Sequence, residues 1–117
     1  MRLESELLDD RILKIVLDGR LDVEGTQAID MQFTALTATK PAAILVDMSE
    51  VSFLASIGMR TLLSCAKAAS KRGGKMVLLN PRPMVKAVLD RSGVATLIPI
   101  YDDPDAATAA LREIHPV

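Results

Sequence analysis

The sequence predicts a single α/β domain with a mostly parallel sheet, an antiparallel N-terminal edge strand and helices packed on the sheet. Short apolar runs alternate with helical stripes in the order β-β-α-β-α-β-α-β-α, and only the first two runs are joined by a short polar turn. Strands linked through helices run parallel, with right-handed crossovers. Because the chain has 117 residues, enough for one hydrophobic core, residues 1–117 are expected to form one domain.

The first two strands are predicted to pair as a hairpin. Arg2–Leu8 alternates apolar and polar residues, as a half-exposed edge strand does, and Ile12–Leu17 is more apolar. The polar turn Asp9-Asp10-Arg11 joins them.

The first helix is predicted over Val23–Ala38. Asp22 is placed to cap it by accepting a hydrogen bond from a free backbone N–H, and Lys40-Pro41 ends it. Its buried stripe recurs at helical spacing, with Ile29, Phe33 and Leu36.

The central strand is predicted over Ala42–Met48, the most continuously apolar run. A short loop then leads to a helix that begins at Ser56 and ends at Gly73-Gly74.

The C-terminal third is predicted to repeat this pattern. Lys75–Leu79 is a buried strand, and Pro83 opens a short helix that Gly93 ends. Thr96–Ile100 is expected to be a shorter strand at the other edge, and Asp103 to cap the last helix.

Composition excludes several classes of function. The net charge is -1 and the basic residues are scattered, which argues against nucleic acid and anionic membrane surfaces. No apolar run is long enough to span a membrane, and no signal-peptide core is visible. Cys65 is the only cysteine, so no internal disulfide can form. We expect a cytoplasmic protein that is not inserted in a membrane.

No enzyme chemistry is predicted. The one histidine, His115, lies near the end of the chain, where no fold holds it beside a nucleophile, and Cys65 falls on a helical stripe as a small buried residue. No phosphate-binding or dinucleotide-binding glycine motif occurs. We expect no catalytic residue, no cofactor and no metal.

Ser56 has two interpretations. Its hydroxyl either caps the helix that begins there, or it is a phosphorylation site whose added charge would alter a docking surface. Its neighbours Leu54, Ile57 and Met59 are expected to form a small apolar patch near the surface, which favours the second interpretation.

The run LVDMSEVSFLASIGMRTLL resembles the signature of the STAS domain (sulfate transporter and anti-sigma factor antagonist). The matching positions are Asp47, Met48-Ser49, Phe53-Leu54, Ser56 and Gly58. The similarity extends to the turn at 17–22, the strand at 73–78 and the helix at 85–93, so it covers nearly the whole chain.

The resemblance implies a STAS fold and a bacterial signalling role in transcription regulation, as a stand-alone anti-sigma factor antagonist. In such members the serine that Ser56 matches is phosphorylated by a partner anti-sigma factor with serine kinase activity. The unphosphorylated protein binds that partner, phosphorylation ends the binding, and a serine phosphatase resets it, which is partner switching. We expect the partner-binding residues to be Asp22, Leu54, Ala55, Ser56, Ile57, Gly58 and Met59.

Ala55 departs from the family pattern, which usually carries Asp before the serine. This departure motivates a second hypothesis, in which the chain is a STAS subunit of a lipid transporter or sensory scaffold that binds its partner constitutively. A third hypothesis is a nucleotide-binding module that uses the edge formed by Asp22 and Ser56.

Overall fold

The computed structural model describes residues 1–8, 11–38 and 43–113 of the chain. Strands and helices follow one another in the order β1 (Arg2–Leu8), β2 (Ile12–Leu21), α1 (Val23–Ala38), β3 (Ala43–Leu54), α2 (Ser56–Lys71), β4 (Lys75–Leu79), α3 (Pro83–Arg91), α4 (Val94–Leu97), β5 (Ile100–Tyr101) and α5 (Pro104–Arg112).

The sheet contains these strands in the order β1-β2-β3-β4-β5. The β1 strand is antiparallel to β2, and all the other pairs are parallel. This confirms the predicted fold class, including the antiparallel edge strand. Because β2, β3 and β4 are parallel and each leads into a helix, the starts of α1, α2 and α3 lie at the same edge of the sheet.

The core is aliphatic and lies on both faces of the sheet. One face packs against α1, α2, α3 and α4, and Phe33 is its one fully buried aromatic side chain. The other face packs against α5 through a smaller cluster made of Ile12, Leu45, Val77, Leu79, Ala107 and Leu111. Burial of these side chains supplies the main driving force for the fold.

Several predicted helix boundaries are confirmed. Gly73 adopts φ 81° after α2, and the N–H of Gly74 donates to the carbonyl of Ala69 at 2.8 Å. Pro83 is the first residue of α3. Asp103 caps α5, because its Oδ1 accepts from the N–H of Asp105 at 3.1 Å.

The central strand is longer than predicted, and the predicted loop before Ser56 is wrong. The β3 strand continues to Leu54 because β2 also continues, to Leu21, and pairs with it in parallel. The register of this pair shifts twice, between Val16 and Asp18 and between Gly19 and Arg20. The pairing continues after each shift, so the polar residues remain within the strand.

The last strand also differs from the prediction of Thr96–Ile100. Gly93 has φ 82° and precedes the short helix α4, in which the hydroxyl of Thr96 donates to the Gly93 carbonyl at 2.7 Å. Only Ile100–Tyr101 forms a strand, and the carbonyl of Pro99 accepts from the N–H of Leu78 just before it.

Three predicted features lie outside the described residues: the turn at Asp9-Asp10, the helix end at Lys40-Pro41, and His115. Among the helices of the described ranges, none is long and apolar enough to cross a lipid bilayer.

Candidate functional site

The candidate site is the edge of the sheet where β2 and β3 end side by side. Leu21 is in register with Leu54, and the N–H of Ala55 donates to the carbonyl of Leu21 at 2.9 Å. The helices α1 and α2 therefore begin next to each other. We call the residues Asp22, Val23, Phe53, Ala55 and Ser56 the β2–β3 edge. In open α/β sheets, ligands and partners bind at this edge.

Asp22 caps α1 as predicted. Its Oδ1 accepts from the N–H of Gly25 at 2.8 Å, and its Oδ2 accepts from Nε of Arg20 at 3.3 Å. The bond from Gly25 is the largest cause that lowers the pKa of Asp22 below 3.8, and Arg20 adds to it. A side chain at position 25 would collide with the Arg20 carbonyl, so glycine allows this tight turn.

Ser56 does not cap α2, which corrects the first interpretation of this serine. Because β3 runs to Leu54, Ala55 is the N-cap residue, with φ -94° and ψ 168°, and no side chain caps the helix. Ser56 is the first residue of the helix and is exposed. Its hydroxyl is therefore accessible at the positive end of the helix dipole.

Leu54 is not part of an exposed patch. It is 4% exposed and belongs to the core, because the register shifts between β2 and β3 turn it to the face that packs against α1 and α2. Gly58 is also buried, and a Cβ there would lie 3.0 Å from Cβ of Leu21 and from Cδ1 of Leu54. Both residues therefore pack in the core beneath the exposed residues of the β2–β3 edge.

Ile57 and Met59 are half-buried, and Met59 packs against the core. The structure thus places Asp22, Ala55 and Ser56 together at an accessible edge, while Leu54 and Gly58 lie beneath it. Whether Ile57 and Met59 contact a partner stays a prediction.

Two exposed residues of this edge, Phe53 and Val23, were not predicted from the sequence to be part of the site. Phe53 is 38% exposed, and the guanidinium of Arg20 lies 4.5 Å from the centre of its ring. Val23, at the start of α1, is 55% exposed. Strict alternation from the buried Val51 would bury Phe53, but the register shift at Arg20 exposes it instead, so the sequence offered no local signal for this residue.

The second half of β3 is also connected to the start of α3, through the side chain of Arg82. Nε of Arg82 donates to the carbonyl of Ser49 at 2.9 Å, and its NH2 group lies 3.3 Å from Oε2 of Glu50. Asp47 accepts from the Ser49 hydroxyl at 2.7 Å. Asp47 also accepts from the N–H of Ser49 at 2.9 Å, so these two motif positions fix the local shape of the strand.

A shallow groove of about 230 Å³ separates α1 from α2, and Asp30, Thr34, Arg60, Ser64 and Cys65 contribute to its lining. Cys65 is buried, as predicted, with its Sγ 3.9 Å from Oγ1 of Thr34. Within the described part of the chain, no group of three or more metal-ligating side chains is present.

The fold is thus an open α/β sheet in which Asp22, Phe53 and Ser56 lie at the edge where α1 and α2 begin. A profile of the STAS domain matches residues 8–107, and the chain belongs to the STAS domain family. The chain is 28% identical over 116 residues to the anti-sigma F factor antagonist of Paenibacillus polymyxa, with 97% of this chain and 99% of that protein covered.

Solved structures show the same fold. Unphosphorylated SpoIIAA, an anti-sigma factor antagonist, matches with a TM-score of 0.80 and 23% identity over 97% of this chain and 99% of its own. The phosphorylated form of Bacillus SpoIIAA matches with a TM-score of 0.70 and 21% identity over 93% of this chain and 99% of its own.

The fold also occurs within a transporter. The murine Solute Carrier 26 family member A9 anion transporter matches with a TM-score of 0.74 and 17% identity, over 88% of this chain and 18% of the transporter.

Proposed function

We propose that this protein is an anti-sigma factor antagonist that binds a serine-kinase anti-sigma factor through the β2–β3 edge and is switched off by phosphorylation of Ser56. The observation that carries the proposal is the position of Ser56, exposed as the first residue of α2. The name of the Paenibacillus relative and the likeness to both forms of SpoIIAA support it.

The physical basis of the switch is charge. In the proposed reaction the γ-phosphoryl group of ATP passes to Oγ of Ser56, the bond to ADP breaks, and the hydroxyl proton is released. The new group carries up to two negative charges and three acceptor oxygens. On a surface that binds its partner through Phe53, Val23 and the Ser56 hydroxyl, desolvating that charge would oppose binding.

The protein itself is proposed to act by binding alone, in the cytoplasm, without a cofactor. A serine phosphatase would hydrolyse the phosphate and restore the binding form. The exposure of Ser56 at the start of α2 supports this role, because a kinase and a phosphatase could both reach its hydroxyl.

The test is phosphorylation by the anti-sigma kinase of the same genome with ATP, followed by mapping of the modified residue by mass spectrometry. We expect phosphate on Ser56, loss of labelling in Ser56→Ala, and normal labelling in Ser52→Ala. Ser52 is a suitable control because it is exposed on β3 only four residues away. Absence of phosphate on Ser56 would reject the switch.

A second candidate is a subunit of a lipid transporter or sensory scaffold that binds its partner constitutively. Ala55 favours it, because the family's acidic residue before the serine is missing and no side chain caps α2. The occurrence of the fold in an anion transporter is consistent with it. Recovery of transporter or scaffold subunits with Ser56→Asp as well as with the unchanged protein would favour this candidate.

A further inference from the structure

Arg60 lies one helical turn after Ser56 on α2. Residues four apart on a helix share a face, with about 5–6 Å between their Cβ atoms, and helical side chains lean towards the N-terminus. Both residues are exposed. The long Arg60 side chain can therefore reach the turn that carries the Ser56 hydroxyl.

Arg60 is available for a new partner. The ion pairs formed among the described residues involve Arg2, Arg20 and Arg82, and none involves Arg60. Asp30 of α1 contributes to the same groove as Arg60 but does not pair with it. No existing ion pair has to be broken for the guanidinium to bind an anion at Ser56.

The start of α2 also lacks negative charge of its own. Its N-cap residue is Ala55, which provides no side-chain acceptor, and its first turn contains no acidic residue. The backbone N–H groups of the first turn have no intrahelical acceptor at any helix start. A phosphate on Ser56 would therefore meet both these groups and Arg60.

We propose that Arg60 binds the phosphate carried by Ser56 and holds it at the start of α2, where the phosphate supplies the cap that Ala55 cannot. This inference rests on the proposed phosphorylation of Ser56. Arg60 is a positioning residue: it favours the doubly charged form of the phosphate and orients it at the β2–β3 edge. The phosphate is then held in one position at the start of α2.

The test uses the full chain with phosphoserine incorporated directly at position 56, so that no kinase or partner is needed. The second ionisation of the phosphate, near pH 6 when unperturbed, is followed by phosphorus NMR across a pH titration. The other charged groups at the adjoining end of β2 and start of α1 are Arg20 in β2, Asp22 just after it and Glu24 in the first turn of α1, and they are left unchanged.

We expect Arg60→Gln to raise the pKa of this phosphate by about half a unit, an effect typical of an exposed ion pair, and Arg60→Lys to raise it by less. Lys67→Gln is the matched control, because Lys67 lies on the same face of the helix as Ser56 but about 16 Å from it along the axis. Equal pKa values in Arg60→Gln and Lys67→Gln would overturn the proposal.

A second measurement checks the capping role. Phosphoserine at position 56 should raise the Tm of the unchanged protein, and it should raise the Tm less in Ala55→Asp, whose new carboxylate competes for the same amides. An equal rise in both backgrounds would contradict the capping role. Neither measurement uses the partner. If partner binding later proves insensitive to phosphorylation, the proposed function fails, but these two measurements on Arg60 and Ala55 keep their meaning.

Discussion

The N–H of Ala55 donates to the carbonyl oxygen of Leu21 at 2.9 Å, and this bond joins the start of α2 to the end of β2. One residue beyond Leu21, Asp22 caps α1, and one residue beyond Ala55, Ser56 opens α2. Since both helix starts are held to the same pair of strands, the turn at Asp22 lies beside the turn that carries Ser56.

The uncapped start of α2 predicts a stabilising substitution. Ala55→Asp should raise the free energy of unfolding by about 1 kcal/mol, because Asp is among the best N-cap residues and Ala among the poorest. The measurement is urea denaturation followed by circular dichroism. Ala87→Asp is the control, an exposed site inside α3 where Asp should not stabilise. If Ala55→Asp is no more stable than the unchanged protein, Ala55 is not the cap.

The packing of Gly58 predicts a destabilising substitution. Gly58→Val should lower the free energy of unfolding by about 1–3 kcal/mol, because the added atoms would crowd Leu21 and Leu54, whose nearest atoms lie 3.0 Å from a Cβ at this position. Ser64→Val introduces the same side chain at an exposed site of α2 and should cost less than about 0.5 kcal/mol. Similar effects at the two sites would show that α2 does not pack closely at Gly58.

The hydrogen bonds of Asp22 predict a dependence of stability on pH. Because the pKa of Asp22 is lowered in the folded state, its charged form stabilises the fold above about pH 3.8, and this contribution is lost as the pH falls through the folded pKa. Asp22→Asn retains a capping side chain without the charge. Its Tm should therefore fall less steeply as the pH is lowered, while its Tm at pH 7 changes little. Thermal unfolding from pH 2.5 to 7 measures this. Asp90→Asn, on the exposed face of α3, is the control, and an Asp22→Asn profile that parallels the unchanged protein would contradict the prediction.

The exposed ring of Phe53 predicts a loss of partner affinity without loss of fold. Phe53→Ala should weaken binding to the anti-sigma kinase by about tenfold or more, since aromatic side chains at the centre of an interface contribute much of its energy. Leu7→Ala is the control: it removes an exposed apolar side chain of β1 whose register partner is Leu13, near the beginning of β2 and therefore at the opposite edge of the sheet. Titration calorimetry should show full affinity for Leu7→Ala, and equal losses in both variants would place Phe53 outside the interface.

The elements with local signals could be predicted from the sequence. Asp22 and its helical stripe gave the bounds of α1, Gly73-Gly74 gave the end of α2, and Pro83 gave the start of α3. These signals are local because capping and left-handed turns depend on a few neighbouring residues.

The end of β3 could not be predicted, because it depends on pairing between distant residues. Glu50 and Ser52 are polar, and they lie in a strand because this bulged part of β3 pairs with the end of β2. The one-residue error in the helix cap follows from this, since a strand that reaches Leu54 leaves Ala55 as the cap. The position of Ser56 at the edge was predicted, but the contact of Arg20 with Phe53 depends on β2–β3 register and was not.

The most direct test of the central claim is the affinity of the anti-sigma kinase for the protein with serine or phosphoserine at position 56, measured by titration calorimetry without ATP. We expect tight binding of the unphosphorylated protein and binding that is weaker by about 100-fold or more for the phosphorylated protein, because the phosphate adds charge at the centre of the interface. Equal affinities of the two forms would contradict the switch and would favour constitutive binding.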